Sequence, residues 1–267
     1  MTADVLQLTV LGSGSARPAP HWAASGLLVQ LNSTAVLFDC GTGIASRLEA
    51  NIGAEALSAI VIGHLHADHW IDLAPLRYRF PWAGRMPNRL PVHLPPGGLA
   101  KIRDLASAIS ERPTFFDDAF DVTEYASYEP FSAGGLSIRP VPAGHYVPAW
   151  SMEVVGSDGA RILYAGDMGP SEELVELARG ADLLILEATL TSLTEDDPKR
   201  GHLLPEEAID AAMRAGVGRT ILVHYPPARL GYIEEACRAT EGLVVPALPG
   251  MVIEVPARER TEAVRPA

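Results

Sequence analysis

The stretch GHLHADHW, residues 63–70, puts three imidazoles and one carboxylate within six positions. The whole chain has only eight histidines, so this is a concentration of metal-ligand chemistry. An apolar run, LSAIVI, leads directly into it. On an extended strand end, side chains two positions apart share a side, so His64 and His66 can bind one ion. The chain must then turn, which aims Asp68 and His69 at a neighbouring position. One cluster therefore offers ligands to two adjacent metals. The competing reading is a polar loop whose histidines cap a helix.

A hydrolytic metal site needs more ligands, and other strand ends should supply them. His145 follows LSIRPVPAG, Asp167 follows RILYAG, and His224 ends RTILVH. Each stands just past a strand-like run, where parallel or mixed sheets open onto a crevice. Taken singly, His145 and His224 would be structural; their repeated strand-end placement is what points to chemistry.

The elements that must carry these residues can be read from periodicity and punctuation. Short β-rich runs come first, VLQLTVL (5–11), GLLVQL (26–31) and AVLFD (35–39), separated by GSGSARPAP and NST. GIASRLEA (43–50) reads as a helix and LSAIVIG (57–63) as a strand, and DLAPLRYRFPW (72–82) reads as a further helix. PVHLPPGG (91–98) ends one strand and begins another helix. SMEVV (151–155) and RILYAG (161–166) flank the turn GSDG and predict a hairpin. DLLILEA (182–188) and RTILVH (219–224) are continuous apolar runs of strand length, expected where both faces of a sheet are covered. Between them PEEAIDAAMRAG is a helix, with Pro205 suited to its first turn and Gly216 to its end. The chain shows no linker, repeat or low-complexity segment. One domain over residues 1–267 is expected, with about 256–267 a frayed polar tail.

HxHxDH, followed by a strand-end histidine, a Gly-Asp and a late strand-end histidine, resembles the metallo-β-lactamase superfamily. Within it the chain is similar to the ribonuclease Z-like branch. LGSGSARP near the start, LFDCGTG (37–43), HLHADH (64–69), YAGD (164–167), LEAT (186–189), GH (201–202) and LVHYPP (222–227) carry the resemblance, in the family's order. It implies an α/β fold, an αββα sandwich of two mixed β-sheets flanked by helices. It also implies two divalent metal ions, zinc first, with manganese or iron as the other candidates. His64, His66 and His145 would hold one, Asp68, His69 and His224 the other, and Asp167 would bridge them. Such a pair, about 3.5–4 Å apart, lowers the pKa of a shared water and clamps both oxygens of a displacement. Asp68 would then serve catalysis as well as metal binding. Asp39, in the LFDCGTG turn, either orients a ligand histidine or caps its turn.

Two further residues belong to the ribonuclease Z-like pattern. There a histidine at His202 protonates the leaving oxygen and the LEAT glutamate, Glu187, orients it; an alkoxide leaving group needs such an acid. A helix-capping histidine and a satisfied buried glutamate are the structural alternatives. His66 separates this chain from redox di-iron relatives, which carry an acidic residue at that position. His21 and His93 are not expected to be ligands.

The resemblance also shows where the chain departs from tRNA-processing relatives. Only 22 positions separate His145 from Asp167, enough for one hairpin and too few for the extended insert that grips tRNA. GH continues with Leu203-Leu204 where those enzymes have a Ser-Thr pair, and the formal net charge is −12. An acidic surface repels polyanions. The expected activity is therefore a dinuclear phosphodiesterase acting on a small phosphodiester, a cyclic nucleotide in the first instance, by hydroxide attack in line with the leaving oxygen. The chain is similar to short bacterial atypical cyclic-nucleotide phosphodiesterases. Hydrolysis of another ester (aryl sulfate, another cyclic phosphate, thioester or lactone) is the alternative, followed by tRNA 3′-end cleavage and a non-catalytic metal-bound sensor. Trp70, Tyr78, Trp82 and Tyr225 are candidates for base stacking or for packing. Arg77, Arg79, Arg85 and Arg89 form a local basic run that either meets a phosphate or covers a solvated helix face.

Two distant cysteines, no signal-like start and no apolar run of about 20 residues predict a cytoplasmic protein with no membrane span. Homodimerisation is left open.

Overall fold

The computed structural model describes residues 5–81, 88–195 and 198–257. Within them, β1 (Leu6–Gly12), β2 (Gly26–Leu31), β3 (Thr34–Phe38), β4 (Ala59–Val61), β5 (Leu90–Leu94) and β6 (Phe120–Glu124) lie side by side in one sheet. β7 (Phe131–Ala133), β8 (Leu136–Ala143), β9 (Ala149–Val155), β10 (Arg161–Tyr164), β11 (Leu183–Glu187), β12 (Thr220–Val223) and β13 (Val244–Pro246) form the second. The last strand, β14 (Val252–Val255), returns to the first sheet and pairs antiparallel with β1.

Both sheets are mixed. β3, β4, β5 and β6 run parallel, as do β10, β11, β12 and β13, while β1–β2–β3 and β8–β9–β10 are antiparallel. The period-2 alternation of strand side chains decides what each face meets. Leu27, Val29, Val36 and Phe38 pack inward against Ile162, Tyr164, Leu183, Ile185, Ile221 and Val223 of the opposite sheet. Their sequence neighbours Leu28, Leu37, Leu163, Leu184 and Leu222 face outward and would be stranded in water without a helical cover. Helices supply it. α1 (Ile44–Asn51), α2 (Ala67–Trp70), α3 (Leu73–Arg77) and α4 (Gly98–Ile109) cover the first sheet. α5 (Glu172–Ala178), α6 (Pro205–Ala215) and α7 (Leu230–Cys237) cover the second. The result is the αββα sandwich expected from the motifs, and it accounts for the continuous apolar runs of β11 and β12. Truncating an inner residue such as Ile185 to alanine would cost about 2–5 kcal/mol.

Several local expectations need correction. Residues 72–82 do not form one helix: α3 stops at Arg77, two residues after Pro75. Arg77 does not lie on a solvated face. It is fully buried, and its Nε and Nη1 donate to the carbonyls of Phe115 and Phe80. Arg79 pairs with Glu49 and Glu55, and Arg89 with Asp121. Arg85, Trp82 and the tail beyond residue 257 lie outside the described residues. Among those described, no helix is long and apolar enough to cross a membrane.

Candidate metal centre

The C-terminal ends of the parallel strands of both sheets converge on one crevice. His64 follows β4, Asp39 follows β3, His145 follows β8, Asp167 follows β10, Glu187 ends β11 and His224 follows β12. The two rims are joined there directly. His64 and Ala149 form an isolated antiparallel bridge, and the Trp150 amide donates to the Gly63 carbonyl at 3.1 Å.

Local sequence explains how the histidine loop is held. Gly41, in the LFDCGTG turn, lies so close to residue 68 that a Cβ would sit 1.8 Å from the Asp68 carbonyl oxygen. The Cys40 amide donates to the His69 carbonyl at 2.6 Å and the Ser25 amide to that of Asp68 at 3.2 Å. In return, Asp72 Oδ2 accepts from the amides of Gly43 and Ala45, serving the N-terminus of α1, which has no capping side chain of its own. Asp39 and His224 both adopt left-handed backbone, with φ of 59° and 55°. Non-glycine residues in that region cost of order 1–3 kcal/mol and persist only where the surroundings impose them.

Two clusters result. His64, His66, His145 and Asp167 bring one ligand atom each to within 4.8 Å of one another, and so do Asp68, His69 and His224. In the first, His66 Nδ1 lies 3.1 Å from both His64 Nε2 and His145 Nε2, and Asp167 Oδ2 lies 3.8 Å from His64 Nε2. In the second, His224 Nε2 is 3.0 Å and His69 Nε2 3.7 Å from Asp68 Oδ2. Asp167 Oδ2 stands between the clusters, 3.4 Å from both His69 Nε2 and His224 Nε2. Ligands 2.0–2.1 Å from a tetrahedral ion are about 3.3 Å apart, so both sets fit divalent cations of zinc size without rearrangement. The nitrogen- and carboxylate-rich donor set suits zinc, and manganese and iron also bind such donors.

Outer hydrogen bonds fix the ring orientations. His69 Nδ1 meets Asp39 Oδ2 at 2.7 Å, and Asp39 in turn accepts from Tyr164 Oη at 2.6 Å and the Gly63 amide at 2.8 Å. Asp39 therefore does orient a candidate ligand. His224 Nδ1 meets Thr189 Oγ1 at 2.8 Å, and the same hydroxyl reaches the His224 carbonyl. His145 Nδ1 meets the Gly201 carbonyl at 2.7 Å.

Burial lowers the pKa of His64, His66 and His145, leaving them neutral, the state that binds metal. His69 is also deeply buried, but Asp167 and Asp39 outweigh that burial and raise its pKa. Burial opposes ionisation of Asp167 and Asp68 as well. It is overcome by His224, His69 and His64 around Asp167, and by the hydrogen bond from His224 and the charge of His69 at Asp68, so both carboxyls sit below their usual range.

His202 stands at the edge of this arrangement. Its ring is 5.7 Å from that of His224 and 4.9 Å from that of His145. Its Nδ1 meets Glu187 Oε1 at 2.7 Å. Glu187 is fully buried and also accepts from the amides of Met168 and Thr189, both at 3.0 Å. Tyr146 lies against His202, and the GH glycine makes room for it: a Cβ on Gly201 would be 2.4 Å from the tyrosine ring. An open cleft of about 650 Å³ leads away from His202 and His224, lined also by Arg17, Thr189, Thr191 and Arg229.

Sequence reasoning missed the roles of Tyr164 and Thr189, although both stand in motifs it used, YAGD and LEAT. It missed Tyr146, Arg17 and Arg229 as neighbours of the site. Tyr225 is not a stacking surface: it is buried, packs edge-on against Trp22 and donates to the Ala247 carbonyl. Trp70 is likewise buried, donating to the Leu65 carbonyl, and Tyr78 is exposed beside Phe115. His93 contacts Thr123 of the neighbouring strand β6 and Phe131 of the second sheet.

Comparison with known proteins agrees with the geometry. Residues 34–225 match the beta-lactamase superfamily domain. A ribonuclease Z of Mycolicibacterium paratuberculosis is 34% identical over 256 residues, covering 88% of this chain and 91% of that protein. The metallo-beta-lactamase fold protein YhfI from Bacillus subtilis superposes with a TM-score of 0.81 at 26% identity, over 94% of this chain and 100% of that one. The short form of human tRNase Z superposes with a TM-score of 0.73 at 24% identity, over 94% and 99%. With two His/Asp clusters fit for a dinuclear metal site at the crevice of this fold, the chain belongs to the metallo-β-lactamase superfamily, in its ribonuclease Z-like branch, and is a metal-dependent hydrolase of that kind.

Proposed function

We propose that the chain is a phosphodiesterase for small phosphodiesters, with cyclic nucleotides the first candidates. His64, His66 and His145 would hold one ion, Asp68, His69 and His224 the other, and Asp167 would bridge, with zinc the preferred metal. Two such ions supply an activated water and positive charge for the phosphoryl oxygens. The chain's own residues do the rest. Asp39 and Thr189 hold the ligand rings in place, and Asp68 stays ionised beside His224.

The observation that carries the reading is the His202–Glu187 pair. Glu187 occupies the Nδ1 side of the ring, which leaves Nε2 as the atom able to deliver a proton. Asp167, His202 and His224 themselves bring ligand-type atoms within 4.8 Å of one another, so that proton is available beside the metal clusters. A sugar alkoxide is a poor leaving group without one, whereas the phenolate of an aryl sulfate or the thiolate of a thioester makes no such demand.

The test is turnover of cAMP, 2′,3′-cyclic nucleotides and bis(p-nitrophenyl) phosphate with Zn²⁺ and Mn²⁺, in native protein and in His202→Ala. The variant should lose about 10²–10⁴-fold on cyclic nucleotides. It should lose far less on the nitrophenyl ester, whose leaving group needs no acid. Cyclic-nucleotide turnover unchanged in the variant would remove His202 as the acid. No cyclic-nucleotide turnover in native protein that cleaves an aryl sulfate or thioester would move the chain to that ester, and a metal-loaded protein inert on every substrate would make it a sensor.

A ribonuclease Z activity is the second reading, favoured by the name of its mycobacterial relative. Against it stands the segment between His145 and Asp167, filled by the β9–β10 hairpin with its turn at 156–160 and no projecting arm. Cleavage of a precursor tRNA at its 3′ end would reverse that order.

A further inference from the structure

Most of the described arginines of this acidic protein are spoken for. Arg79, Arg89, Arg139, Arg161 and Arg214 each meet a carboxylate. Arg17 and Arg229 differ: among the described residues neither has an acidic partner, and both line the open cleft that begins at His202 and His224. None of the described side chains lining that cleft is acidic.

The loops that bring the two together are tied to one another. Ser13, at the root of the loop carrying Arg17, donates through Oγ to the Ala247 carbonyl at 2.9 Å, and its own carbonyl accepts from the Tyr225 amide at 3.3 Å. Arg229 follows Tyr225 by four residues. Its Nη2 reaches the Thr191 carbonyl at 3.3 Å, and its guanidinium lies 5.2 Å from the Tyr232 ring. Its Nε is buried and donates to no described residue. A buried donor on a charged group without a partner is costly, and such groups mark places where an acceptor is missing.

We propose that Arg17 and Arg229 form a second anion subsite, which accepts a phosphate group carried by the substrate beyond the scissile diester. The subsite rests on the phosphodiesterase reading for its position in catalysis. A guanidinium presents a planar fork of donors that matches phosphate oxygens, and the lack of carboxylates among the described lining residues favours that pairing. The scissile phosphate belongs over the His/Asp clusters. Among small phosphodiesters, the cleft beyond His202 therefore adds a preference for those with a further phosphate, such as a linear dinucleotide phosphorylated at its 5′ end.

Two measurements on the metal-loaded protein test this. The first compares kcat/KM for the dinucleotides ApA and pApA, which share one diester and differ in one terminal phosphate. The native protein should favour pApA by about tenfold or more, the usual scale of a charge-assisted bond. Arg17→Gln and Arg229→Gln should each bring the ratio toward one, while Arg139→Gln, remote from the cleft, should keep it. The second needs no turnover: adenosine 3′,5′-bisphosphate should bind tighter than adenosine 5′-monophosphate, and Arg229→Gln should abolish the difference. Equal handling of both pairs by the native protein, or a preference untouched in both variants, would overturn the subsite. A binding preference that depends on the arginines, in a protein that cleaves neither dinucleotide, would keep the subsite and remove the phosphodiesterase.

Discussion

The two clusters share Asp167 and a fold but not a degree of preparation. Around His69 and His224 every outer nitrogen is occupied: Asp39, backed by Tyr164 and the Gly63 amide, holds one ring and Thr189 the other. His69 is fully buried. In the other cluster His145 is braced by the Gly201 carbonyl, whereas the ring of the half-exposed His66 has no hydrogen bond to a described residue outside the cluster. Both positions have their ligand atoms gathered, but the Asp68/His69/His224 position is braced from outside by side chains on both of its rings and the other is braced less. Affinity follows, because a ligand ring already fixed loses less freedom on binding.

The largest effect should come from the residue the clusters share. Asp167→Ala should cut metal content well below two ions per chain by elemental analysis and take turnover to background together. Full occupancy with full activity would dismantle the paired-site description. Asp39→Ala should act on one side only, costing the Asp68/His69/His224 position about 10–100-fold in metal affinity. It would also strand the Tyr164 hydroxyl, at about 1–3 kcal/mol of stability. Equal weakening of both positions in a two-site titration would erase the asymmetry. Graded chelation of the native protein should release ions in two steps, the His64/His66/His145 position emptying first. Release in a single step would show the two positions to be equally held. Thr189→Val should be mildest, a few-fold loss at the Asp39-backed position, since of the hydroxyl's two hydrogen bonds to His224 only the one to ring Nδ1, of about 1 kcal/mol, orients the ligand.

The candidate site was unusually legible because its parts are either contiguous or punctuated by strand ends. HLHADH is local, and His145, Asp167 and His224 each follow an apolar run that had to be a strand. What was not legible depends on contacts between distant residues. Tyr164 reaches Asp39 across 125 positions, and the worth of that contact is visible only once two sheets are stacked. Arg77 looked like one member of a basic run; its burial depends on the Phe115 carbonyl, 38 residues away. The short strands β7 and β13 carry too few residues for periodicity to mark them. β14 belongs to the first sheet only because β1, at the other end of the chain, offers it an edge.

The crevice also has a mechanical meaning. Each candidate ion position takes ligands from both sheets: His64 and His66 oppose His145, and Asp68 and His69 oppose His224. A bound pair of cations is thus a rivet through one rim of the sandwich. Unloaded, that rim relies on the His64–Ala149 bridge and on the bond from the Trp150 amide to the Gly63 carbonyl. The Trp150 amide is therefore the place where the molecule would register its metal content, exchanging slowly when riveted and quickly when not.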